Sequence, residues 1–180
     1  SHEAASLASC HNLGKLICFW DDNQISIDGP VDAWFKDNTA MRFRSYGWHV
    51  IDGVDGHDSQ AIATAIKQAK DVTDQPTLIC TKTIIGYGSP NKANSASSHG
   101  SPLGAEEINL TKQALGWTYC PFEVPHEIYS AWDAKEKGRL LQAEHSTLMV
   151  EYHRQYPQLA AELIRRVEGK LPQDWSDFCL

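Results

Sequence analysis

An apolar run that stops on acids constrains this chain more than any other stretch. Residues 16–20, Leu-Ile-Cys-Phe-Trp, read as a strand buried in a sheet, and Asp21, Asp22 and Asn23 follow at once. Oxygen-bearing side chains at the carboxyl end of a buried strand are one way to build a hard-cation site. Mg²⁺ takes near-octahedral oxygen ligands, usually carboxylates with substrate phosphates completing the shell. Open α/β sheets hold ligands in the crevice outside the strand carboxyl ends. Asn23 can supply a side-chain carbonyl, and Ile25 a main-chain carbonyl while its side chain stays apolar. The other reading is a plain turn, because Asp and Asn side chains bond their own backbone there. Spacing alone favours the turn.

The pattern downstream favours a parallel sheet. Residues 1–9 are alanine-rich and helix-compatible. Trp34 and Phe35 read as a packing pair rather than a cofactor platform. Thr39 is expected to cap a short helix over 40–45, which Gly47 ends. Residues 48–54 return as a second strand. Asp58 caps a helix over 59–70 in which Ala61, Ile62, Ala65, Ile66 and Ala69 share one face. Pro76 opens a third strand over 77–84. Strands alternating with helices at this spacing predict an α/β fold, a three-layer parallel sheet with flanking helices. Residues 85–104 form a long loop of small residues, the kind that exposes backbone N–H groups to an anion. A helix follows over 105–115. Residues 126–155 read mostly as one long helix, with Gly138 able to bend it. Leu140, Leu141, His145, Leu148, Met149 and Tyr152 form its inner stripe, read as core or subunit contact. Pro157 breaks it, and 158–170 is helical again.

Charge and composition exclude some classes. A net charge of −7 argues against nucleic acid as a partner. An anionic cofactor would then need a local site of metal and backbone N–H groups rather than a general positive field. No apolar run approaches the roughly 18 residues of a membrane span, and no signal-peptide pattern opens the chain. Five cysteines with no C-x-x-C pair read as reduced thiols of a cytoplasmic protein. Cys18 and Cys80 fall in strand-like runs and read as core, and Cys10 as a small residue at a helix end. The eight histidines are scattered without zinc-ligand spacing.

The segment Asp21-Asp22-Asn23-Gln24-Ile25-Ser26-Ile27-Asp28-Gly29 resembles the second half of the thiamine diphosphate motif of transketolases, which opens with GDG and closes on an asparagine. Further matching blocks are Thr39-Ala40-Met41-Arg42-Phe43, Tyr46-Gly47-Trp48-His49-Val50, Asp55-Gly56-His57-Asp58, the run from Lys82 through Ser89-Pro90-Asn91-Lys92, Ser98-His99-Gly100 and Leu115-Gly116-Trp117. They stand in the family's order, to about Pro172. One departure is Ala96, where many members carry a second histidine. Another is the divergent stretch 173–180. Ser1-His2-Glu3 looks like the residues just after the GDG half, so the fold is expected to be the thiamine diphosphate-binding fold truncated at its N-terminus.

The resemblance implies the rest. Cofactors would be thiamine diphosphate with Mg²⁺ or Ca²⁺. Asn23 and Ile25 would be metal and cofactor ligands, Ile27 would pack near the thiazolium ring, and His99 would contact the diphosphate and line the substrate funnel. Glu3 matches a glutamate near the subunit interface. Asp21, Asp22 and Asp28 are expected to hold the turn, since the family's carboxylate ligand belongs to the GDG half. Substrates would be sugar phosphates exchanging a two-carbon ketol unit. Partners would be a second copy or the family's other domains, with no nucleic acid and no membrane. The 180 residues alone are expected to be inactive. Residues 1–125 would be the partial diphosphate-binding domain, 126–172 its terminal helices and 173–180 a tail. Alternatives are dihydroxyacetone synthase or another thiamine-dependent relative, one chain of a split enzyme, and a stable non-catalytic domain.

Overall fold

The computed structural model describes residues 2–179. The described residues form two compact units, which divide between Thr118 and Tyr119. The first opens with helix α1 (His2–Cys10), as its alanine content predicts, and continues into strand β1 (Ile17–Asp22). A hairpin of β2 (Ile25–Ser26) and β3 (Gly29–Pro30) follows. Helix α2 (Thr39–Ser45), strand β4 (His49–Asp55), helix α3 (Ser59–Asp71) and strand β5 (Thr77–Lys82) complete the α/β part. The sheet order is β1-β5-β4, all parallel. The last strand in sequence thus lies in the middle.

β5 is central because its sequence can be buried on both faces. Alternation along a strand sends Leu78 and Cys80 to one side and Ile79 to the other. Leu78 and Cys80 pack with Ala8 of α1, Ala40 of α2 and Trp48, whose indole N–H donates to the Ala5 carbonyl at 2.8 Å. Ile79 packs with Val54 and with Ala65 and Ala69 of α3. Ile79 and Ala69 are fully buried, and burial of one such isoleucine contributes roughly 1.5–3 kcal/mol. The small residues on α3 let the helix lie close to the sheet. Helices therefore flank a parallel sheet on both faces, as the sequence pattern predicts.

Local starts and stops differ by a residue or two from expectation. The α2 cap is Asn38, whose side chain accepts from Met41 N–H at 2.8 Å, and Thr39 is the first helical residue. Asp58 caps α3 as expected, accepting from Gln60 N–H at 2.8 Å. β5 ends at Lys82 instead of residue 84, because Ile84 N–H turns away to His57 Nε2 at 2.8 Å. Helix α4 (Ala105–Ala114) closes the long loop, and its chain turns at Gly116.

In the second unit the expected long helix is two: α5 (His126–Trp132) and α6 (Lys135–Gln155). Asp133 is extended there, and its carboxylate accepts from Lys135 N–H at 3.0 Å, a local bond that competes with the helix. Gly138 lies inside α6 without breaking it. Pro157 starts α7 (Pro157–Val167), which packs along α6, and a short α8 (Trp175–Phe178) follows. The stripe read as an inner face is not core within this unit: Leu140, Leu141 and Leu148 are exposed. No helix among the described residues is long and apolar enough to cross a membrane.

Candidate functional site

β1 does not stop at the two acids; they are its last residues, paired in register with Thr81 and Lys82 of β5. The neighbouring strand decides where each carboxylate goes. Asp21 accepts from the Thr83 hydroxyl. The Asp22 side chain is 5% exposed and meets the Lys82 ammonium through Oδ2 and the Gln24 amide through Oδ1. Both acids thus hold the turn, in line with the role the resemblance implies. Gln24 itself sits at φ 61, in the left-handed region that a residue of its type rarely adopts.

That conformation delivers a tight Asx turn. Asn23 Oδ1 accepts from Ile25 N–H at 2.9 Å, so the sequence's two readings, turn and oxygen donor, meet in one residue. An amide carbonyl has two lone pairs, and one remains for a cation. Gln24 and Val31 form a hydrogen-bonded pair of the antiparallel ladder, so Ile25, paired with Pro30, falls at a position whose carbonyl points away from the partner strand. The Gln24 carbonyl, one position earlier, does accept, from Val31 N–H at 3.1 Å. At the hairpin tip Gly29 has φ 113, open only to glycine at no strain. Ile27 lies on that tip at 69% exposure, so it is not the core residue its apolar character suggests.

Asn23, Ile25, Asp21 and Asp22 line a cavity of about 140 Å³ with Trp20 and Phe35. A second, polar cavity of about 340 Å³ shares Trp20, Asp22, Gln24 and Phe35 with it and is also lined by Lys82. Phe35 therefore lines both cavities beside the turn, although it and Trp34 are both exposed, at 37% and 56%. Among the described residues no three His, Cys, Asp or Glu side chains gather as a metal site. A cation here would rest on amide and main-chain oxygens, with its other ligands brought by the bound anion. Hard oxygens suit Mg²⁺ or Ca²⁺ and not a soft metal. The donor set fits the metal–diphosphate pair that the resemblance implies.

The loop over residues 85–104 is tied down by a residue that sequence reading missed. Glu107, buried in the first turn of α4, accepts from the Ser89 hydroxyl, from Asn91 N–H at 2.8 Å and from the Asn91 side-chain amide at 2.9 Å. These bonds, with the Lys92 charge beside them, hold its carboxyl down at about 2. Lys92 in turn donates to the Leu103 carbonyl at 2.7 Å, and its own carbonyl takes the Ser95 and Ser98 hydroxyls. An acid in a first helical turn ordinarily reads as a partner of the helix dipole, which hides this role.

His57 is the second omission. It stacks on Tyr87 with centroids 3.9 Å apart while Nε2 accepts from Ile84 N–H. Gly56 makes the approach possible: a Cβ there would lie 2.4 Å from Thr83 Cγ2. His99 ends a short 3-10 turn (Ala96–Ser98) with its ring exposed, and it does not line the Asn23 cavity. Glu3 lines a separate surface cavity with His2, Ser6 and Tyr46. Of the five sequence-singled residues, the fold brings Asn23 and Ile25 together, sets Ile27 on the same hairpin, and leaves His99 and Glu3 apart from that cavity. The cysteines are all free; burial pushes the Cys80 thiol up to about 11, and Cys10 ends α1 as expected.

The family described as transketolase, thiamine diphosphate binding domain, matches over residues 1–172. Transketolase 2 of Vibrio parahaemolyticus is 58% identical over 177 residues, which are 98% of this chain and 26% of that protein. The structure of the Pichia stipitis transketolase in complex with sedoheptulose-7-phosphate aligns with a TM-score of 0.86 at 40% identity, over 97% of this chain and 26% of that one. The transketolase of Leishmania mexicana aligns at 0.88 with 31% identity, over 96% and 26%. The chain thus spans about a quarter of the length of these relatives.

Proposed function

The chain belongs to the transketolase family through its thiamine diphosphate-binding domain, and on that premise we propose that the Asn23 turn holds the cation and diphosphate end of the cofactor. The observation that carries this reading is the turn itself. Asn23 Oδ1 keeps a lone pair beyond its bond to Ile25 N–H, and the alternation of the hairpin ladder turns the Ile25 carbonyl away from the partner strand. We take Mg²⁺ as the cation, with Ca²⁺ as a substitute of the same hard-oxygen preference. Asn23 would also donate its amide N–H to a diphosphate oxygen. His99 would donate to the same group from the 85–104 loop, and Ile27, apolar and exposed, would pack on the thiazolium ring. Glu3, on α1, would lie at the contact with a second copy.

When bound, thiamine diphosphate supplies the reactive carbon that accepts and passes on a two-carbon ketol unit. The contribution of these residues is to fix the charged end of the cofactor and to leave its reactive end facing a substrate channel. Sugar phosphates are the proposed substrates, in cytoplasmic exchange of ketol units of the pentose phosphate type. Turnover would require groups that the longer relatives carry outside this quarter of their length, so the 180 residues alone are expected to bind without catalysing. Residues 1–125 would carry the diphosphate site and 126–172 the terminal helices of the same domain. A homodimer, or association with the family's other domains, is the proposed assembly.

Calorimetric titration of thiamine diphosphate into the chain, with and without Mg²⁺, tests this reading. Saturable binding that needs the cation and is lost in Asn23→Ala is the expected result. Cofactor binding of equal strength in Asn23→Ala, or no binding by the parent chain, would overturn it.

A further inference from the structure

We propose that Lys82 and Gln24 are positioning residues that hold the Asn23 turn in its ligand-presenting form through the buried carboxylate of Asp22, touching neither cation nor cofactor. The inference rests on the site reading above and extends it to residues outside the proposed ligand set. Asp22 has the residue type expected of a cation ligand, stands next to Asn23 and lines the same cavity. Its two oxygens are nonetheless committed, one to Lys82 of the neighbouring strand and one to Gln24 two residues ahead. Lys82 is the last residue of β5, directly opposite Asp22 in the parallel register. Its side chain is 60% exposed, so the ammonium that meets the buried Asp22 carboxylate does so at the edge of solvent.

The geometry shows what this link restrains. Gln24 is the residue whose left-handed backbone sets the bend between Asn23 and Ile25. Nothing in its own type favours that conformation, since Gly and Asn are the residues that enter it readily. The side-chain bond to Asp22 therefore compensates the backbone, and Lys82 fixes Asp22 in turn. If the link opens, Gln24 is free to return to an ordinary φ, and the Asn23 Oδ1 to Ile25 N–H bond goes with it. The sheet does not depend on the link: the core around Leu78, Ile79 and Cys80 is built from other residues. Lys82 also precedes Thr83, which holds Asp21, so the end of β5 grips both acids of the turn.

The test is amide hydrogen exchange on the whole chain, read at Ile25 N–H and compared with core amides of β5. Lys82→Met is expected to speed exchange at Ile25 on the order of tenfold with the β5 core unchanged. Lys82→Arg, which keeps the charge and reach, should restore protection. Gln24→Glu, isosteric and exposed, turns a donor into a second carboxylate against Asp22 and should loosen Ile25 at least as much. Unchanged Ile25 exchange in Lys82→Met and Gln24→Glu, loss spread evenly over the sheet, or no rescue by arginine would overturn the proposal. Titration of thiamine diphosphate with Mg²⁺ separates it from the site reading. Lys82→Met is expected to bind at least tenfold more weakly. Parent-like binding in Lys82→Met alongside loss in Asn23→Ala would sink the positioning role alone. Loosened Ile25 in Lys82→Met with no effect of Asn23→Ala on binding would sink the site reading alone.

Discussion

Asp22 and Glu107 are both buried acids that fasten a loop, yet Asp22 is met by a lysine from the neighbouring strand and Glu107 by uncharged donors. The difference follows from what each loop must do. The Asn23 turn is two residues directly after β1, so a side chain in register on β5 can reach it. The 85–104 loop has no neighbouring strand, and its own backbone and side chains must supply the donors. A carboxylate accepting several N–H and O–H bonds is held by fixed dipoles that solvent screens little. The Lys82 side chain is mostly exposed, and an exposed partner makes for a weaker, salt-sensitive link. The turn should therefore be the softer of the two attachments.

The largest effect should come from Glu107→Ala. It removes both acceptor oxygens and leaves the Ser89 hydroxyl, the Asn91 main-chain N–H and the Asn91 side-chain amide without their partner. Amide exchange over residues 89–98 is expected to rise tenfold or more, while the β5 core keeps its protection. If the loop stays protected in this variant, the Ser95 and Ser98 bonds to Lys92 hold it unaided and the contrast with Asp22 collapses.

Acid sharpens the same contrast. The Glu107 carboxyl is lowered from 4.5 to about 2 by its bonds to Ser89 and Asn91. A carboxylate depressed on folding adds stability that is complete above its unfolded value and is lost as pH falls through the folded one. The loop should thus hold to well below pH 4.5 and open toward about 2. Glu162, paired with Arg165 and Arg166, is lowered to about 2 as well, so a whole-chain acid titration mixes the two. The Asn91 amide chemical shift isolates Glu107, and a midpoint near 4.5 rather than about 2 would remove the special status of this acid.

How much of this was legible beforehand depends on the range of the interaction. The sheet could be read because β5 is apolar on both faces, and α3 because Ala61, Ala65 and Ala69 fall at helical spacing behind the capping acid Asp58. The Asn23 turn was legible in residue type but not in mechanism: Asp22 next to Asn23 looks like another ligand until the register with Lys82 is known. The break at Asp133 was hidden by helix-forming neighbours on both sides. Glu107 was hidden for a different reason. Its partners lie 16 and 18 residues away along a loop whose path no periodicity describes, and the acid fits its helix equally well with a humbler role.

The smallest structural effect belongs to Ile27, and it separates fold from site most cleanly. An isoleucine on an exposed hairpin tip contributes little to the core, so Ile27→Ser should change stability by no more than about 0.5 kcal/mol. Its cross-strand neighbours are unaffected, because Ser26 and Gly29 close the tip beneath it and the Ser26 hydroxyl donates to the Gly29 carbonyl at 3.1 Å. If the side chain packs on the cofactor ring, the same substitution removes apolar contact area from the complex. Binding of thiamine diphosphate with Mg²⁺ should then weaken by roughly tenfold, the size expected for a lost patch of buried apolar surface. Equal binding in Ile27→Ser would leave the cation end of the site standing on Asn23 and Ile25 and would withdraw the ring contact. A fall in stability without a fall in binding would mean that the hairpin tip is packed in solution, and its exposure would no longer argue for a ligand.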